Sequence, residues 1–244
     1  MSSLLTEFTR LYAPDPADEA VGTRLIDGRG QTRALVLELG GPADWALLGP
    51  VWRGVQADLG LPAPAIAASG TDGLQLWFSL AEALPLAEGR ALLEALRRHY
   101  LPGLPLRRVR LWPQADGQHA RPVPQPMADS GNWSAFLAPD LAPLFAETPW
   151  LDIPPGDEGQ AQLLAGGKSI QPTQRAAALA QLQADTPSAA PPAPAPTAHR
   201  LSAPSAGWTD PRAFLLAVMN DDTAPLALRI EAAKGLLAHA PSAP

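Results

Sequence analysis

The sequence contains no cysteine, only two lysines and two tyrosines, and no apolar run of membrane-spanning length. Without cysteine there is neither a disulfide framework nor a thiolate zinc site, which fits a reducing compartment. Residues 1–19 carry Glu7, Asp15, Asp18 and Glu19 and lack an apolar centre, so no signal peptide is predicted. A cytoplasmic protein with no membrane partner is expected. The four histidines are scattered and have no acidic partners at ligand spacing. No metal site is predicted from them and no cofactor is expected. No Gly-x-Ser-x-Gly motif occurs. Gly166-Gly167-Lys168-Ser169 ends like a phosphate-binding loop, but position 162, where the upstream glycine belongs, is Gln. Positive charge is also scarce, with 18 Lys and Arg against 24 Asp and Glu and a net charge of -6. That balance argues against strong non-specific nucleic-acid binding and leaves room only for a local basic patch.

What the chain does have is enough apolar residues for a packed core, at 46%, and 29 unevenly spread prolines. Leu4–Tyr12 reads as a short helix. Arg33–Leu39 reads as a strand whose continuous apolar run, Leu35-Val36-Leu37, predicts cover on both faces. A helix over 43–59 follows, with Trp45, Leu48, Trp52, Val55 and Leu59 on one face. Ile66–Ser69 and Leu74–Leu80 form a predicted hairpin. Its second arm turns Leu74, Leu76, Phe78 and Leu80 one way and Gln75, Trp77 and Ser79 the other. Leu86–Tyr100 is a helix, Arg107–Trp112 a strand, and 114–131 loop-rich with a short strand near 120–124. A strand over Trp133–Leu137, a short helix over Leu141–Phe145 and a helix over Gln171–Ala184 complete the first part.

The resulting β–α–β–β–α–β order is that of a split βαβ, or RRM-like, unit and predicts an α+β fold. The expected organisation is an α+β domain over 1–165, a helical extension over 166–185, and a Pro/Ala-rich linker over 186–207. A helical hairpin over 208–240 follows, starting at the cap Thr209-Asp210-Pro211.

Four stretches, in order, resemble the archaeo-eukaryotic primase (primase-polymerase) superfamily of mobile elements and conflict systems. They are Ala34–Gly40, at the family's Asp-x-Asp pair, and Ser69–Trp77, similar to its Ser-Gly-x-Gly-x-His-x-Trp hairpin. Val109–Asp116 is similar to its Asp-x-Phe-Phe-Pro-x-Gln-Asp strand and turn, and Gly131–Leu137 to a Gly-Asn-Ser-x-Phe-Leu element. The resemblance spans 25–153 and implies a primase-type core over 1–165. Nucleotidyl transfer in that family needs several carboxylates around divalent metal. Here the first acidic position is Glu38, the second is Gly40, the third falls on Val109, and the hairpin histidine is Gln75. Loss of the carboxylates implies a catalytically inactive accessory or nucleic-acid-binding protein of a phage or mobile element, in replication or defence. The alternatives are an active nucleotidyltransferase using displaced Glu38, Asp72 and Asp116 with Mg or Mn, and an assembly protein that binds no nucleic acid.

Arg97, Arg98, Arg108 and Arg110, with Gln75, Trp77 and Trp112, form the expected nucleic-acid-binding surface. Arg108 and Arg110 are expected on one strand face, and the tryptophans are expected to stack on bases. The plainer roles are helix-dipole matching for the arginines, core packing for the tryptophans, a solvated sheet position for Gln75, a solvated or capping carboxylate for Glu38, and turn geometry for Asp72. The expected partners are DNA or a nucleotide, and a protein or second copy through the C-terminal hairpin. That hairpin, Asp210–Asp221 and Leu228–Lys234, resembles a helical module of phage small-terminase-type proteins.

Overall fold

The computed structural model describes residues 3–15 and 24–184, and in the C-terminal part the helical residues 215–216, 218–219, 229–230 and 232–234. The chain divides into two compact units, 1–189 and 190–244. The predicted linker and most of the predicted hairpin lie outside the described residues. In the second unit, Arg229 Nε donates to the Met219 carbonyl at 3.0 Å, joining the two helical stretches.

The first unit runs α1 (Ser3–Tyr12), β1 (Gln31–Gly40), α2 (Trp45–Ala57), β2 (Ala65–Ala68), β3 (Gly73–Pro85), α3 (Leu86–Tyr100), β4 (Val109–Trp112), β5 (Ala135–Leu137), α4 (Asp157–Ala165) and α5 (Pro172–Ala184). The strands form one sheet in the order β4-β1-β3-β2-β5, and every neighbouring pair is antiparallel. The fold is therefore α+β.

Nine of the ten β1 residues are buried, as the continuous apolar run predicts. One sheet face presents Leu35, Leu37, Leu39, Leu74, Leu76 and Phe78 to helices α2, α3 and α5. At Gly89 of α3 a Cβ would lie 2.6 Å from Leu35 Cδ2, so the absent side chain sets how closely the helix approaches the sheet. Helix α3 carries Glu88 in its first turn and Arg97, Arg98 and His99 in its last, matching the macrodipole at both ends. Helix α5, expected as an extension, contributes Ala178 and Leu182 to this same core.

The opposite face is half apolar and half polar. Its apolar half, Ala34, Val36, Trp77, Ala67 and Phe136, is covered by Leu4, Phe8, Leu11 and Tyr12 of α1 and by Ala161 and Leu164 of α4. Helix α4 was not predicted. Its segment has no strong apolar stripe, and its fixing contacts come from distant residues. Gln160 accepts from the Phe136 N–H at 2.7 Å and donates to the Phe136 carbonyl at 3.0 Å, completing the outer edge of β5 as a further strand would. Arg10 donates to the Leu164 and Gly167 carbonyls at the end of α4, each at 3.1 Å.

Other departures are local. Residues 120–124 form no strand, and Leu106–Arg108 is a 3-10 turn, so β4 begins at Val109. No helix among the described residues is long and apolar enough to cross a membrane.

Candidate functional site

The polar half of the second face is assembled by register. Glu38 of β1 lies between Gln75 of β3 and Arg110 of β4, so three polar side chains stand in a row across the sheet. Glu38 and Gln75 are each only 5% exposed, which forces their hydrogen bonds to be made within the protein. Arg110 Nη1 donates to Glu38 Oε1 at 2.6 Å. Gln75 Nε2 and Trp112 Nε1 donate to Glu38 Oε2 at 3.1 and 3.3 Å. The Trp77 indole N–H donates to Gln75 Oε1 at 2.8 Å. Because an indole only donates, that bond fixes the amide with its oxygen toward Trp77 and its nitrogen toward Glu38.

Arg110 also reaches the β2–β3 turn, where Nη1 and Nη2 donate to Asp72 Oδ1 and Oδ2, each at 2.9 Å. Hydrogen bonds from Arg110 hold the Asp72 carboxyl below the usual carboxylate range, and they raise the arginine in turn. Gly40 leaves room for this pair. A Cβ there would lie 3.3 Å from both Arg110 Nη1 and Asp72 Oδ1.

This row floors an open cleft of about 1130 Å³, walled by the β2–β3 turn and the loops over 114–121 and 127–134. The charged lining is balanced, Arg110 and Arg121 facing Glu38 and Asp129, with His119 beside them. Gln114, Gln118 and Asn132 contribute amides, and Trp112, half-buried, lines one side.

The expected surface is thus only partly assembled. Arg110, Gln75 and Trp112 meet in the cleft. Gln75 is not a solvated sheet residue, because its amide is buried and bonded to Glu38 and Trp77. Trp77 is 1% exposed, with the rings of Phe8, Tyr12 and Phe136 at 6.0, 5.2 and 5.9 Å. It is a core residue with no face open to a base, because α1 covers it.

Arg108 does not share a strand face with Arg110. It sits in the turn before β4 and donates to the Gly40 and Pro42 carbonyls at 3.3 and 2.7 Å. Arg97 is bidentate on Glu94, at 3.0 and 2.6 Å, and Arg98 donates to the Glu94 carbonyl at 3.4 Å. Of the four arginines, Arg97 and Arg110 are paired with carboxylates, whereas Arg98 and Arg108 donate only to backbone carbonyls. Glu38 is a buried ion-pair partner, neither solvated nor capping, and Asp72 binds a guanidinium in addition to its place in the turn. Arg121 and His119 fall outside the expected surface, because their loop carries no periodic signal, and Gln114 and Asn132 lie within the resembling stretches 109–116 and 131–137 without being assigned to it.

A divalent cation does not fit this donor set. Glu38 and Asp72 converge, but on a guanidinium that already occupies the position between them and offsets one of their two charges. Val109 points to the opposite, apolar face, and Asp116 bonds Gln118 in a separate turn, at 2.9 Å to its Nε2. No family model matches the chain, and no curated protein matches it at a significant level.

Proposed function

We propose that this chain is a non-catalytic, primase-like protein that binds single-stranded nucleic acid or a nucleotide in the cleft over the sheet, as a cytoplasmic accessory factor of a phage or mobile element. The carrying observation is Arg110, hydrogen-bonded to both Glu38 and Asp72. A guanidinium between two carboxylates supplies fixed positive charge where metal-dependent nucleotidyl transfer needs exchangeable cations. The β–α–β–β–α–β order and the strand order β4-β1-β3-β2 support a split βαβ core of the primase kind.

The cleft suits bases better than a run of phosphates. Its charges cancel, whereas its amides offer donors and acceptors to base edges and Trp112 offers an aromatic wall. Arg121 is the one lining arginine not committed to a carboxylate, so the salt slope of log Kd for a single strand should be small, with magnitude about 1.

The test is a titration of labelled single-stranded and primer-template DNA at low salt, followed by anisotropy, beside a primer-synthesis assay with magnesium or manganese. Saturable binding weakened by Arg121→Ala and Gln114→Ala, without primer synthesis, is expected. Primer synthesis would overturn the non-catalytic part, and no binding of DNA or free nucleotides would overturn the ligand.

A further inference from the structure

A second groove, of about 750 Å³, lies on the other side of the β2–β3 turn from the cleft, with Thr71 between them and Asp72 in its lining. Its walls are Trp45, at the start of α2, and Trp150, with Pro143 and Pro149, and Asp44 and Glu147 stand at its rim. Both tryptophans are half-buried. Neither indole N–H donates to an acceptor among the described residues, in which they resemble Trp133 and differ from Trp52, Trp77 and Trp112. One oxygen of Asp44 caps α2 at the Leu47 N–H, 3.2 Å away. Glu147 is exposed, and neither carboxylate pairs with a cation among the described residues. No lysine or arginine lines the groove.

We propose that this groove binds an extended, proline-rich peptide segment carrying an arginine or lysine. A polyproline II strand has no internal hydrogen bonds, so its carbonyls are open to donors, and its pyrrolidine rings pack on flat apolar surfaces. Two indoles with unused N–H groups supply both needs, because each joins a large apolar face to a donor. The acidic rim selects a basic residue and fixes the direction of the segment. The same rim decides against a nucleic-acid strand, which would bring phosphates against Asp44 and Glu147.

The proposal does not rest on the reading of the cleft, and its test uses the full chain. Labelled ten-residue peptides are compared by anisotropy: one rich in proline with a terminal arginine, one with alanine for each proline, and one with glutamate for the arginine. The first should bind saturably and the others at least about tenfold more weakly. Trp150→Ala should weaken the first peptide about tenfold with circular dichroism unchanged. Exposed Glu147→Lys, which carries no risk to folding, should weaken the arginine peptide and strengthen the glutamate peptide. No binding of the first peptide, equal binding of all three, or indifference to Glu147→Lys would overturn the proposal. So would an oligonucleotide whose binding Trp150→Ala abolishes, or self-association that Glu147→Lys disperses, since the groove would then belong to nucleic acid or a second copy.

Discussion

Arg110 and Asp72 face each other through two parallel hydrogen bonds, each 2.9 Å, across 38 residues of sequence. The fork geometry matches guanidinium to carboxylate, and the same Nη1 reaches Glu38 at 2.6 Å. The arginine thereby joins β4, β1 and the β2–β3 turn at one point.

Replacing Arg110 by methionine should destabilise the protein by about 1–3 kcal/mol at neutral pH, because the Glu38 carboxylate stays buried with its counter-charge gone. Glu38→Gln in the same background should recover part of that loss. Urea denaturation of the two single variants and the double variant measures the coupling.

Acid should weaken the pair in a defined direction. The Asp72 pKa is lowered in the folded state, so its contribution is complete above the ordinary carboxylate value. It is lost as the pH falls through the lowered folded value. Asp72→Asn should flatten this part of the stability–pH curve and leave the neutral plateau unsloped, as thermal melts over a pH series would show.

Metal should act only on a variant. Manganese is expected to leave the Tm of the unmodified protein unchanged, since the Arg110 guanidinium already occupies the position between the two carboxylates. In Arg110→Ala the freed Glu38 and Asp72 should bind the ion, raising the Tm with its concentration. Differential scanning fluorimetry with and without a chelator checks both arms.

Trp77 separates core packing from ligand contact. Trp77→Ala should cost about 3–5 kcal/mol through the cavity left among Phe8, Tyr12 and Phe136. Trp77→Phe, in the fraction that remains folded, should bind single-stranded DNA as the unmodified protein does.

Gln160→Ala should cost about 1–3 kcal/mol by leaving the Phe136 N–H and carbonyl without partners. Hydrogen exchange at the Phe136 amide should accelerate accordingly.

Helix α3 was legible in the sequence to its exact ends, Leu86 and Tyr100, because Pro85 precedes a strong apolar stripe and the charges order themselves along the dipole. Helix α4 was not, since its stability comes from Arg10 and from an edge strand rather than from its own pattern. The alternation of β3 correctly placed Gln75 and Trp77 on one face. It carried no information about what covers that face.

The sequence by itself determined the strand and helix succession through Trp112, the split of β3 into two faces, and the absence of thiol chemistry. Each is a property of neighbouring residues, through period, turn chemistry or composition. Only the tertiary structure decided that α1 seals Trp77 into the core, and that Arg110 spends its charge on Glu38, 72 residues away. Burial and ion pairing depend on which distant segments meet, and no local period encodes that meeting.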